Sequence, residues 1–455
     1  MTSTRSFTLL CLVPGFLVAC GGDPCGGPDW NVGGSGVTHV TGTGGSGGWG
    51  PSWFTGLGED IDFTTRVAAD SEGHLVWAGT LRGTVDLCGE HAPEGAGNAF
   101  VTKLLPDGSP LWIKVFGGDG SRVEALSVAA NDEIVIGGSF DGTLDAGNGK
   151  RVSKGADDAF VAKLDPGGDV VWVRAAGNSA AQQTVLAVAG DGAGNVAITG
   201  SFRGSVDWGT GPLTEKGGAT MFVAKLDAQG APLWADRFGG GEVTQGASIV
   251  VDTNGDVVVQ GTSSGSLDFG GGAVTDPGGF LVKLDGASGD HVWSRALGDR
   301  SGGLALGAGN HYFLSGSGSG TAYFAKFDAG GQALFDTVFD VAPGTFPRWA
   351  PPAIDGAFAV LAFGVEGSVD LGGGAVGGHG ESDIVIAAFD LDGGHRWSTS
   401  FASGYYNSGP TGVALTPDEG IFFAGLFEQS LDLGFAKLDA GVENTSAVLL
   451  FLEHR

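Results

Sequence analysis

The sequence predicts an all-β fold: a ring of four-stranded blades, a β-propeller. Three observations predict it. A line of residues returns about every 60 positions. Short β-branched segments alternate between Asn, Asp and Gly turns. Helical periodicity is nearly absent, while Gly makes up 88 of 455 residues. Self-similarity at this period, filled with strands and hairpin turns, belongs to solenoids, propellers and arrays, and four strands per repeat select the propeller. Length alone, at ~150 residues per domain, would suggest three domains, and the repeat overrides it. Composition narrows the classes further. With 42% hydrophobic residues the chain has too much apolar material for disorder, and a formal net charge of −28 repels nucleic acid.

The elements follow in chain order. Residues 1–20 read as a targeting segment, with Arg5 in the positive region and an apolar stretch, Phe7–Val18, too short to span a bilayer. Its end, Leu17-Val18-Ala19-Cys20-Gly21, resembles the bacterial lipobox. That resemblance implies acylation of Cys20, a mature chain starting there, and membrane attachment through the N-terminal lipid only. Gly21, where Asp would retain the protein at the inner membrane, points by analogy to the outer membrane or cell surface. With Cys11 removed and Cys20 acylated, Cys25 and Cys88 remain. They form a candidate disulfide in an oxidising compartment, and two free thiols are the other reading. Residues 21–50 are Gly-rich and read as a tether with a reach of about 30 Å.

The propeller is expected over residues 51–455. Its clearest line, Phe160-Val-Ala-Lys-Leu-Asp-Pro-Gly-Gly-Asp-Val-Val-Trp172, has counterparts at Phe100 to Trp112, Phe222 to Trp234, Phe280 to Trp293, Tyr323 to Phe335 and Val385 to Trp397. One repeat divides into strands at Val123–Ala129, Glu133–Phe140, Ala159–Asp165 and Val170–Ala175. Trp-type fourth strands number seven when Trp53 is included, and third strands number seven when the one around Phe451 is included. The chain begins with a lone fourth strand, Pro51–Gly58, and ends on a third strand, Ala447–Glu453. The N-terminal strand is therefore predicted to complete the last blade, making seven blades and removing the free sheet edges.

The line Asp158-Ala-Phe-Val-Ala-Lys-Leu-Asp-Pro-Gly-Gly168 with Val171-Trp172 resembles the SBBP-type propeller repeat of bacterial surface lipoproteins. The resemblance implies a secreted propeller in the cell envelope and carries over no catalytic residues. A second motif, Ser/Thr-x-Asp, ends at Asp86, Asp145, Asp207, Asp268, Asp370 and Asp432. It is similar to the Asp-box turn of sialidase-type propellers without the later Trp, and the Asp residues are read as turn caps. The mid-strand Lys103, Lys163, Lys225, Lys283 and Lys326 could form a basic ring. The favoured reading lays each along the blade, its amine in solvent or paired to Asp.

Chemistry is sparse. His-Glu-x-x-His is absent, and Gly261-Thr-Ser263-Ser-Gly265 spells a nucleophile elbow but falls within a strand of the repeat. No catalytic residue and no metal site are assigned, and no cofactor is expected. Calcium is the one candidate ion, through Asp252-Thr-Asn254-Gly-Asp256 and the Ser/Thr-x-Asp carboxylates, with turn capping favoured. A candidate binding notch lies beside the short loop Ser315–Gly320, flanked by Phe346, Arg348 and Trp349 and by Tyr405, Tyr406 and Asn407. The alternative is that these aromatics fill gaps between irregular blades. The expected function is a monomeric binding scaffold for a protein or an envelope polysaccharide. A carbohydrate-active enzyme (glycosidase or lyase) on the same face and a purely structural surface protein are the rivals.

Overall fold

In a computed structural model, the described residues are 39–41, 49–56 and 66–454, apart from 82–85, 88–89, 92–96, 119, 178–180, 240, 275–276, 342–347, 405–407 and 434–436. Among the described residues, apart from one 3-10 turn, Ala308–Asn310, the regular structure is β. The repeat folds as five separate four-stranded antiparallel sheets. The second of these runs Ser121–Val128, Ile134–Phe140, Asp158–Leu164 and Val170–Ala176, within a residue or two of the predicted strands. The first lies within Arg66–Phe116, the third within Gln183–Phe238, the fourth within Thr244–Gly298 and the fifth within Ser301–Asp340.

Most of the rest of the described chain forms one ten-stranded sheet, eight of its strands along one path and two, Ala353–Ile354 and Gly409–Leu415, paired beside it. It contains a sixth unit (Arg348–Trp349 with Ala353–Ile354, Phe358–Val365, Ser382–Asp390, His395–Ser403) and a seventh (Gly409–Leu415, Ile421–Asp432, Lys437–His454). The two join because the end of the long strand Ile421–Asp432 pairs with Ala402 and Ser403. The outer partner of Lys437–His454 is Trp49–Gly56, in a register that sets Trp53 opposite Phe451 as Trp112 stands opposite Lys103. Inside the Gly-rich stretch, His39–Thr41, with β-branched Val40 and Thr41, adds a further strand to Trp49–Gly56.

The first strands of consecutive units lie side by side, and Gly409–Leu415 lies against Arg66–Ala69. The core is divided accordingly. Each hydrophobic cluster sits between two neighbouring units, and one joins Phe422 and Phe451 of the seventh to Leu75, Trp77 and Phe100 of the first. This is a β-propeller architecture, with cores between sheets rather than within one layer.

The repeated line is explained by contacts between units. The Phe fills the core: Phe100, Phe160, Phe222 and Phe280 are at most 1% exposed. The Asp that follows caps the last hairpin, as when Asp165 Oδ1 accepts from the amides of Gly167 and Asp169 at 3.0 and 2.9 Å. The Trp leans on the next unit. Trp172 Nε1 donates to Ala228 O at 3.0 Å, and Trp234 Nε1 to Gly286 O at 3.2 Å. The ring lies so close to the next hairpin that a Cβ on Gly230, at φ +78°, would come 2.7 Å from Trp172. Gly168, Gly289 and Gly331 receive Trp112, Trp234 and Trp293 in the same way. The glycine is therefore required twice, by conformation and by space.

The lysines do not lie in solvent. All five are at most 8% exposed. Lys163 Nζ sits 2.5 Å from Glu133 and donates to Gly194 O and Ala228 O of the next unit at 3.0 and 3.4 Å. Lys103 pairs with Asp70 at 2.6 Å and donates to Pro166 O at 3.4 Å. Lys283 bridges Asp252 and Asp256 at 2.7 and 2.9 Å. Lys225 donates to Gly255 O and Gly286 O at 2.7 and 3.2 Å, with Asp191 at 3.9 Å. The favoured pairing with acids is met, but the ammonium is buried, and in Lys103, Lys163 and Lys225 it also reaches a carbonyl of the neighbouring unit. An ammonium has three donors, and burial is tolerable when all find acceptors.

Candidate functional site

The first strands position the site. In the second, third, fourth and seventh units the register slips by one residue at the same place, leaving Glu124, Leu186, Ala247 and Thr411 as extra residues. Opposite each slip the second strand carries Gly, and a Cβ on Gly138 or Gly200 would meet the carbonyl oxygen of Arg122 or Thr184 at 1.9 or 2.0 Å. A β-bulge puts two consecutive side chains against one partner residue and re-aims them. Here all four bulge residues, Glu124, Leu186, Ala247 and Thr411, line one cavity.

The result is a cavity of about 500 Å³, lined by first-strand segments of one unit after another. Arg66, Glu124, Ser248, Trp349 and Thr411 line the bulge end, and Leu126, Val188, Val250, Leu304 and Leu306 line the rest. Arg66 is surrounded by protein and still open in part to the cavity. Burial, the larger influence, lowers its proton affinity, and the charge of Glu124 works in the opposite direction. Both influences leave it a cation at neutral pH. Ser248 Oγ accepts from Leu304 N at 3.0 Å, fixing one wall.

Of the notch residues predicted from sequence, Trp349 lines this cavity and is half-buried. Arg348 is exposed and lies along the seventh unit's first strand, where a Cβ on Gly409 would come 2.8 Å from its Cδ. Phe346, Tyr405, Tyr406 and Asn407 lie outside the described residues, as do Cys20, Cys25 and Cys88. The loop expected at Ser315–Gly320 is shorter still: Ser315–Gly318 continue the strand His311–Gly318, and Ser319 and Gly320 alone join it to Thr321–Phe327. Sequence reasoning missed Arg66 and Glu124. Arg66 belongs to no motif, and the bulge that places Glu124 is a property of register.

The Ser/Thr-x-Asp motifs open small satellite hairpins. Asp207 Oδ1 accepts from the amides of Gly209 and Gly211 at 2.7 and 3.1 Å. Asp268 and Asp370 repeat both contacts, and Asp145 makes the first. The middle residues Leu144, Val206, Leu267, Val369 and Leu431 are at most 2% exposed, so each motif also plugs the core. Asp432 lies on the strand Ile421–Asp432, and the side chain of Asp86 is outside the described residues.

The calcium-like loop is already filled by protein donors. Asp252 Oδ1 accepts from Asn254 N and Asp256 N at 2.9 and 3.0 Å, and Oδ2 takes Lys283 Nζ and Tyr312 Oη at 2.7 and 3.0 Å. Burial works to raise the Asp252 carboxyl, but the hydrogen bonds from Lys283, Tyr312 and Asn254 together hold it below the usual range. Among the described residues, Asp70, Glu72 and His74 also converge. Lys103 already occupies that carboxylate, 2.6 Å from the Asp70 oxygen that His74 Nδ1 approaches at 3.0 Å. Ser263, in the elbow-like spelling, lies within the strand Val257–Ser263 with its Oγ 3.0 Å from Thr244 Oγ1.

No family model matches the chain. Over 202 residues it is 30% identical to the "Regulatory protein FlaEY" of Caulobacter vibrioides, covering 43% of this chain and 20% of that protein. The chain thus spans about a fifth of that relative's length. Among solved structures it is similar to BamB from Moraxella catarrhalis, with 13% identity, coverage of 88% of this chain and 97% of that one, and a TM-score of 0.41. It is also similar to a protein from Lactobacillus plantarum (14% identity, 78% and 95% coverage, TM-score 0.44). A third is the quinohemoprotein alcohol dehydrogenase from Comamonas testosteroni (11% identity, 86% and 76% coverage, TM-score 0.42).

Proposed function

We propose that this chain is a seven-bladed propeller, closed by its N-terminal strand, that acts as a binding scaffold and not as an enzyme. Its ligand seats in the cavity between the first strands, on the side where Arg66, Glu124 and Trp349 gather. The observation that carries the reading is the repeated bulge: in unit after unit, the innermost strand turns an extra residue toward one shared space. Loops and bulges on a rigid ring are where such scaffolds place recognition. Pairing of Trp49–Gly56 with Lys437–His454 supports the closure. The spelling around Cys20 supports an envelope location through an N-terminal lipid, and a protein or envelope polysaccharide remains the partner class.

Thermal unfolding of the full chain against neutral and charged glycans, with native mass spectrometry, tests the reading. A ligand selective for the folded state raises the midpoint. Ala247→Phe fills the cavity from the bulge of the fourth unit and is expected to abolish the rise. An undiminished rise in that variant would place the ligand elsewhere.

A further inference from the structure

Away from the cavity between the first strands, we infer a second site at the seam between the seventh and first units. It takes a primary ammonium on an aliphatic stem, the chemistry shared by a lysine side chain and a free alkyl amine. The repeat itself supplies the precedent. At one position of the third strand the first five units carry Lys. In the first, second and fourth of these the ammonium pairs closely with an acid of the unit's own first turn, Asp70, Glu133, or Asp252 with Asp256. In Lys103, Lys163, Lys225 and Lys326 it also reaches a carbonyl in the last turn of the next unit, on Pro166, Ala228, Gly286 or Leu391. The sixth unit has Ala388 at this position. The seventh has Phe451, which stands opposite Phe422 as Lys103 stands opposite Val76. Thr416 and Gly420, joined through their backbone like Asp252 and Asp256, hold the places of those two acids. The seventh unit therefore lacks both the ammonium and the carboxylates that would hold it in its own turn.

A cavity of about 310 Å³ lies at this place. Phe451 lines it but turns onto Phe422, with ring centroids 4.6 Å apart, and so belongs to the core cluster shared with the first unit. Gly73 and Pro106 line it from the first unit. They are the counterparts of Gly194 and Ala228, whose carbonyls accept from Lys163. Four carboxylates complete the lining, Glu72 from the first unit and Asp418, Glu419 and Glu453 from the seventh. Three of them are exposed and Glu453 is half-buried. Among the described lining residues none is basic. Such a cavity draws a cation, and an aromatic wall adds to the attraction. A divalent metal needs about six or more oxygens converging on one point. Among the described residues only Asp70, Glu72 and His74 converge as a group of three, so these four carboxylates do not form a metal shell. An alkylammonium suits the wider spacing. Its three donors can reach separate oxygens while its stem lies against Phe451.

The probes are n-pentylamine, n-pentanol and calcium chloride, titrated calorimetrically into the full chain at fixed ionic strength. Pentylamine is expected to bind one to one, at least roughly tenfold more tightly than pentanol, because its contacts are charge-assisted. Asp418→Asn and Glu453→Gln are each expected to weaken it several-fold. Glu72→Lys, at an exposed position, brings an ammonium to the cavity from the protein itself and is expected to abolish binding. Glu381→Gln, an exposed acid of the sixth unit, and Ala247→Phe should leave binding unchanged. Weakening by Glu381→Gln to the same degree would mean general attraction to an acidic chain and would overturn the site. Loss of binding in Ala247→Phe would move the amine to the other cavity, and undiminished binding in Glu72→Lys would also overturn the location. Pentanol binding as tightly as pentylamine would overturn the role of charge. Calcium displacing pentylamine at equal concentration would overturn the ammonium in favour of a metal, and no pentylamine binding would overturn the inference. Cadaverine binding more tightly than Nα-acetyl-lysine methylamide would then give a free amine as the source, and the reverse order a lysine of a protein partner.

Discussion

Gly230→Ala tests the contact between units on which the repeat is built. Gly230 has φ +78°, and an added Cβ would stand 2.7 Å from Cδ2 and 3.0 Å from Cε2 of Trp172. The left-handed backbone costs a non-Gly residue about 1–2 kcal/mol. Overpacking against a ring held by its Nε1 bond to Ala228 O adds about 1–3 kcal/mol. The expected loss is about 2–5 kcal/mol, read as a shift in urea midpoint at constant m-value. Gly192→Ala is the control, since nothing lies within 4 Å of its Cβ and its φ is not positive. It should stay within about 0.5 kcal/mol of the parent. In the background Trp172→Ala, the collision is gone and only the backbone cost remains. A coupling of about 1–3 kcal/mol is therefore expected between the two sites. Additivity of Gly230→Ala and Trp172→Ala would refute the contact, and a loss below about 1 kcal/mol would refute the conformational argument as well.

Further outcomes follow from the buried ions. Lys163→Met should cost about 3 kcal/mol in urea unfolding, at the low end for a broken buried pair, because Glu133 loses its cation but keeps Asn131, and Ala228 O keeps Trp172 Nε1. Lys225→Met should cost less, since its acid stands 3.9 Å away. Asp252 has a folded pKa below its ordinary value, so its contribution is complete above about pH 4 and is lost as pH falls through the folded value. Asp252→Asn should flatten the acid limb of stability against pH. Burial, the largest influence, pushes Tyr312 up to about 12, so its contribution fades as pH rises from about 10 toward that value. Tyr312→Phe should flatten that alkaline limb. Calcium and EDTA should leave the unfolding midpoint unchanged, because Lys283 holds the Asp252 carboxylate, and a calcium-dependent rise would mean that the ammonium is displaced.

Much of the fold could be read from the chain because each unit repeats what its neighbours need: a core Phe, a turn Asp, a Gly seat and a Trp. Strand limits in the second unit fell within a residue or two for that reason. The lysines were harder. A mid-strand Lys ordinarily runs to solvent, and the carbonyls that satisfy Lys163, on Gly194 and Ala228, lie 31 and 65 residues further along. The cavity between the first strands was harder still. Its walls are Ala, Val, Leu and Ser without a motif, and Glu124 reaches it through a slip in register that no periodicity announces. Trp349 stood out because a Trp beside an Arg among prolines breaks the repeat.

The closed ring is the claim on which that cavity depends, and residue-resolved amide exchange over 447–453 in the full chain tests it most directly. Amides of this strand that point toward Ile421–Asp432 are protected in any arrangement. Those on the other side are protected only if Trp49–Gly56 pairs with them. The account predicts slow exchange at every amide of the segment. Fast exchange at alternate amides would expose a free sheet edge and contradict the closure.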